Sequence, residues 1–223
     1  MQKNLNHSRW SKVSKTARIT LLVLLASVVL YYIWTRGFVY FRFSSEVYTD
    51  YFWWRASWLL LHVICGIIAT LIGSLQFIPQ LRAKNPVMHR NLGKVYLGCV
   101  IVSTFVSFYL VSTSELGIVY AVGLTMLGVV WLGSSGMAWL AIRNRNIEMH
   151  REWMIKSYVL TLSFVCFRFV EDLLTKAGIS SFVERKVLMS WASWAIPFFI
   201  TEVVLQLRKL IRKKSPLTEV NSF

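Results

Sequence analysis

The stretch Arg82-Ala83-Lys84-Asn85-Pro86-Val87-Met88-His89-Arg90 returns at an offset of 61 as Arg143-Asn144-Arg145-Asn146-Ile147-Glu148-Met149-His150-Arg151. Five positions are identical: Arg82/Arg143, Asn85/Asn146, Met88/Met149, His89/His150 and Arg90/Arg151. Lys84/Arg145 keeps its charge. Each copy separates one long apolar run from the next, so the recurrence is one of layout and not only of composition. An echo placed in this way is the mark of a duplicated helical hairpin. Convergence of two juxtamembrane loops, both rich in Arg, Lys and Asn, is the rival explanation.

The apolar runs on either side decide the solvent. Hydrophobic residues make up 56% of the 223, and the mean hydropathy is +0.53. That is more apolar than a soluble domain, in which apolar residues make up about half. Six runs stand out, at 19–34, 58–78, 95–112, 118–142, 154–170 and 187–207. At about 1.5 Å of rise per helical residue such runs match a hydrocarbon core of about 30 Å, and none alternates as a barrel strand does. The fold expected is all-α, a six-helix transmembrane bundle in which helices two and three repeat as helices four and five. A polar segment at 1–18 precedes this domain at 19–207, and a basic tail at 208–223 follows it. The first run resembles a signal peptide, but Tyr31, Tyr32, Trp34 and Arg36 follow it in place of a small-residue cleavage site, so it reads as a retained helix. Residues 37–57 mix aromatic and charged side chains, as a segment at headgroup level does. An aromatic ligand box is the alternative there.

Charge sorts the loops by side. Eighteen of the 25 Lys and Arg fall in the N-terminal segment, the 79–94 loop, the 143–156 loop and the tail, and six fall on the opposite face. The rule that Lys and Arg stay inside then places both termini in the cytoplasm. Both copies of the echo land on that face, as a parallel duplication requires and an inverted repeat does not. A net charge of +15 distributed in this way points to anionic lipid and not to nucleic acid. Cys65, Cys99 and Cys166 lie within apolar runs without C-x-x-C spacing, so neither a disulfide framework nor a thiolate metal site is indicated. Ala69 and Gly73, and Ser134 and Ala138, have the small-x-x-x-small spacing that lets helices approach closely. Pro197 is expected to kink the sixth helix.

Chemistry is carried by few residues. His89 and His150 occupy equivalent places where helices three and five begin, so duplication sets two imidazoles at one depth across a pseudo-two-fold axis. Two such ligands suit a low-spin b-type haem that exchanges electrons with quinone or a membrane redox partner, with Arg90 and Arg151 placed for its propionates. A second reading takes the same His-Arg pairs as anion clamps of a transporter or lipid-binding protein. A third makes them structural, in a subunit of a membrane complex. His62, near the outer end of helix two, and Arg168, with Glu171 and Asp172 close by, are further intramembrane polar groups. Glu202 on helix six calls for a cation, with His89, His150 or their arginines as the expected partners and Gln76 at similar depth. No P-loop, G-x-G-x-x-G, H-E-x-x-H or G-x-S-x-G motif is present, and the sequence does not decide whether the protein is an enzyme.

The motifs His89-Arg90-x-x-Gly93-x-x-Tyr96 and His150-Arg151-x-Trp153-Met154-x-x-Ser157-Tyr158, with Arg168 and Gly73-x-x-Gln76-Phe77, resemble those of a bacterial family of multi-helix membrane proteins known as a domain of unknown function. The resemblance covers roughly residues 58–175 and departs from the family's pattern at Ser74, where Pro is expected, and at Lys156, where Arg is expected. It implies a location in the bacterial plasma (inner) membrane and lends no activity. More loosely, the layout is similar to cytochrome b561-type electron carriers. Their ligands lie inside the spans, whereas His89 and His150 stand at helix ends.

Overall fold

A computed structural model describes residues 2–179 and 181–214. Two compact units divide the chain, residues 1–42 and 43–223. Within the first, helix α1 (Gln2–Tyr32) passes into a π-helical turn (Ile33–Gly37) and a 3₁₀ turn (Phe38–Arg42). Its apolar run shows Leu21, Leu22, Leu24 and Leu25 exposed. Trp34, Phe38 and Phe41 stack in series at its end, with centroids 5.7 and 5.3 Å apart. Such rings suit the depth where hydrocarbon meets headgroups.

The second unit contains α2 (Ser45–Trp53), α3 (Ala56–Leu75), α4 (Pro79–Lys84), α5 (Pro86–Ser112), α6 (Ile118–Arg143), α7 (Ile147–Thr161), α8 (Ser163–Lys176) and α9 (Phe182–Lys214). Taking both units, six stretches of the described chain are long and apolar enough to cross a membrane. Five of them belong here: Ala56–Leu75, Pro86–Ser112, Ile118–Arg143, Ile147–Lys176 and Phe182–Ile211. The third span begins nine residues earlier than hydropathy suggested, because Asn85 caps it and Pro86 opens it. Apolar content marks the hydrocarbon depth, and the cap marks where the helix starts. The fifth span is two helices joined at Leu162, where the Thr161 hydroxyl bonds back to the Ser157 carbonyl. Back-bonding of this kind bends helices. Helix α9 continues through Pro197 without a break.

Helices α3, α5, α6 and α7 form a closed ring, each packed on the next and α7 again on α3, with α9 against α6, α7 and α8. Its core joins Ala69, Tyr96, Val100, Trp131, Ala138, Met154, Leu160 and Trp194. The small residues do what their spacing implied, for Ala69, Gly73, Ser134 and Ala138 are all buried. A Cβ on Gly73 would come within 2.6 Å of the Tyr158 ring and 3.0 Å of the Tyr96 ring. Between apolar helices in lipid, close packing of this sort replaces the hydrophobic effect as the cohesive force. The large apolar side chains left over, such as Phe105, Ile118 and Phe199, face outward.

Arg55 belongs to the segment that the sequence sets at headgroup level, and its side chain is buried within the protein. It is 1% exposed. Its guanidinium donates to the carbonyls of Leu110 (3.2 Å) and Thr113 (2.9 Å) and to the Thr113 hydroxyl, and it lies 4.7 Å from the Trp54 ring. A cation at the end of α5 meets the carbonyls that have no donor in the helix and the negative end of its dipole.

Candidate functional site

The two copies of the echo fold to the same local structure. Asn85 Oδ1 accepts from Met88 N, and Asn146 Oδ1 accepts from Met149 N, both at 3.0 Å. The next amide, of His89 or His150, reaches back to the carbonyl of the same Asn at 3.1 or 3.0 Å. The shared Asn and Met-His therefore spell one device, a side-chain N-cap followed by the first turn. Both histidines sit within that first turn, on helices that begin at the same end of the unit. This is termed the basic end, after the Arg and Lys of its loops.

The approach to each cap is different. Helix α6 stops in a Schellman turn, in which Asn146 N donates to Ala141 O and Arg145 N to Ile142 O, with Arg145 at φ 57°. Helix α3 stops two turns sooner relative to the repeat. Gln76 follows it, Ile78 is extended, and α4 fills the interval.

His150 Nδ1 lies 2.8 Å from the Ala138 carbonyl. A carbonyl only accepts, so Nδ1 carries the proton and the Nε2 lone pair is left for another partner. His89 has Arg82 and His150 within electrostatic reach, and its Nδ1 is buried without a hydrogen-bond partner. Over Gly93, one turn further along α5, Gln76 is 8% exposed, its Nε2 has no partner, and its Oε1 lies 3.6 Å from where a Gly93 Cβ would be. The arginines do not converge on the histidines. Arg90 is exposed and bonds Pro86 O through Nε at 3.2 Å, and Arg151 is exposed as well.

Glu202 is not paired with the histidines or their arginines, as the sequence suggested. It meets Lys156 Nζ at 2.6 Å and accepts from Gln206 Nε2 at 2.7 Å. Lys156 is 8% exposed, with its ammonium 4.2 Å from the Trp153 ring. Nearer the helix ends, Lys209 and Glu152 pair at 2.6 Å, so two ion pairs join α7 to α9. At the other end of the unit, His62 Nδ1 meets the Ser103 carbonyl and hydroxyl at 3.0 and 2.9 Å. Arg168 pairs with Glu171 at 2.9 Å, as their spacing implied, and Lys186 of α9 joins the same carboxylate. His62 therefore ties α3 to α5, and Glu171, held by Arg168 within α8, ties α8 to α9 through Lys186, both away from the histidine pair.

Sequence reasoning missed the centre of the ring. Tyr96 hydroxyl bonds the hydroxyls of Ser157 (2.7 Å) and Thr161 (2.8 Å), Ser157 bonds Ser135 (2.7 Å), and Trp131 Nε1 donates to Thr161 (3.0 Å). One signal was available: Tyr96 and Ser157 are separated by 61 residues, the offset of the echo. Among the described residues no group of three or more His, Cys, Asp or Glu comes together as a metal site. A centre held by two imidazoles does not need one.

Such geometry defines a class, a multi-pass helical membrane protein with a polar seam inside its bundle. A family model described as predicted membrane protein (DUF2306) matches residues 59–205, and the chain belongs to that family of unknown function. No curated protein and no solved structure matches it significantly.

Proposed function

We propose that this protein is a haem b electron carrier of the bacterial inner membrane. His89 and His150 would hold the haem iron, both termini would be cytoplasmic, and a quinone or a membrane redox protein would exchange electrons with it. The observation that carries the reading is the His150 Nδ1 contact with Ala138 O at 2.8 Å. Histidines that ligate a metal are commonly oriented in this way, the far nitrogen bonded to a carbonyl and the near one left as ligand. The donor chemistry fits: two imidazoles at the start of diagonally opposite helices, on one end of a bundle.

Duplication supports the pairing. Exchanging α3 with α6 and α5 with α7 turns the α3/α5 contact into α6/α7 and the α5/α6 contact into α7/α3, and all four contacts exist. Tyr96 then bonds its own counterpart, Ser157, across the diagonal. Haem bound between the histidines supplies a one-electron couple. The protein's part is to fix the His150 tautomer, keep water out with the α3–α5–α6–α7 ring, and present a basic rim to anionic lipid.

One observation favours a second reading. Arg90 and Arg151 are exposed at the starts of α5 and α7, where a lipid phosphate or another anion in transit would meet them. The Asn caps already occupy the Met88 and Met149 amides, however, which weakens the helix-end part of an anion clamp. A reduced-minus-oxidised visible spectrum of protein expressed with haem supply separates the two. Sharp Soret and α bands, lost in His89→Ala and His150→Ala, are expected. A folded protein without haem absorbance overturns the proposal, and loss of anionic-lipid binding in Arg90→Ala and Arg151→Ala then favours the second reading.

A further inference from the structure

Helices α3 and α5 run antiparallel, in a register fixed by three contacts. His62 bonds Ser103, Gly73 lies beneath the Tyr96 ring, and the Gln76 carboxamide lies over Gly93. His89 is four residues before Gly93, hence on the same face of α5 and one turn nearer the basic end. Gln76 and His89 therefore line the same seam. Each carries a buried nitrogen without a partner, Nε2 of the amide and Nδ1 of the ring. Both can donate, and neither has an acceptor.

The other copy shows what is lacking. There the Nδ1 proton of His150 goes to the carbonyl of Ala138, inside α6. The position equivalent to Ala138 is Phe77, beyond the last residue of α3. Because α3 stops early, no helical carbonyl stands at that point, and two donors face the interval in its place. Phe77, next to Gln76 in the chain, is exposed, with its ring 5.2 Å from that of Tyr158 on α7, so an aromatic face adjoins this end of α3. Two donors near an aromatic face suit a membrane-soluble molecule that presents a carbonyl oxygen.

We propose that the α3–α5 seam at Gln76 and His89 binds a carbonyl oxygen of a membrane-soluble ligand, held by N–H bonds from Gln76 Nε2 and His89 Nδ1. Two sources present that oxygen, a quinone headgroup and the ester of a phospholipid. As an electron partner, the quinone rests on the haem reading; binding of the carbonyl does not. A 180° turn of the Gln76 amide would instead let Oε1 accept the His89 proton and close the seam without any ligand.

Nanodiscs distinguish these cases. Full-length protein is placed in ether-linked lipid, which has no ester carbonyl, with and without decylubiquinone, and in ester-linked lipid without quinone. A ligand that binds only the folded state raises the melting temperature. The expected result is a rise in one arm for wild type that is absent in Gln76→Leu and Gln76→Glu, each of which removes the donor, and the responding arm names the source. Either variant suffices if the other does not fold. A response shared by wild type and variants, or none in any arm, overturns the proposal. The Soret band of the same samples keeps the two readings apart. Colourless protein with a shift that depends on Gln76 refutes the haem and leaves the seam; haem absorbance without such a shift does the reverse.

Discussion

The two halves of the four-helix ring begin their second helices alike and diverge on either side of that start. In the second half α6 is long, its Schellman turn leads directly into Asn146, and an α6 carbonyl takes the proton of His150. In the first half α3 stops early, α4 intervenes, and the corresponding nitrogen of His89 is buried without a hydrogen-bond partner. Further along, Val95 stands where the second half has Lys156, so among the described residues it is the second half that ties itself to α9 through an ion pair with a buried lysine. A common cap places both imidazoles, and what surrounds each cap sets the job each can do.

That contrast can be broken at several points. The largest effect is expected at the ion pair between Lys156 and Glu202. Lys156→Met strands Glu202, and Glu202→Gln strands Lys156 near the core. Removing one partner of a fully buried pair costs about 3–5 kcal/mol, and partial exposure of Glu202 brings the expectation to roughly 2–3. The double variant Lys156→Met/Glu202→Gln should recover part of that loss in the thermal unfolding of detergent-solubilised protein. Two single variants no less stable than wild type would show that the pair contributes nothing.

Next come Gly73 and its equivalent, Ser134. A Cβ at Gly73 would press on two tyrosine rings, so Gly73→Ala should cost about 1–3 kcal/mol by overpacking. Ser134 is equally buried but already has a Cβ, and its hydroxyl has no partner, so Ser134→Ala should be neutral or slightly stabilising. Equal losses at the two sites in a melting assay would contradict this asymmetry of packing.

The caps test the likeness rather than the difference. Asn85→Ala and Asn146→Ala should each cost about 1 kcal/mol, and the two melting shifts should match. A markedly larger loss at one would mean that the caps carry different loads. The smallest change has the opposite sign. Arg145 holds a left-handed conformation that costs a side-chain residue about 1 kcal/mol, so Arg145→Gly should raise stability by up to about that amount.

Much of this was legible in the chain and some was not. Six apolar runs, the start of helices α5 and α7 at a shared motif, and close packing at Ala69, Gly73, Ser134 and Ala138 are local properties: length, composition and spacing state them directly. The pairing of Glu202 with Lys156, the burial of Arg55 against the end of α5, the Tyr96–Ser157–Thr161 cluster and the orphan nitrogens of Gln76 and His89 are not local. Each depends on how far a helix is rotated and how it registers against its neighbour. A helix that is apolar all round has no stripe to fix that rotation. In lipid it is settled by which small residues meet which rings, and only the folded ring of helices decides that.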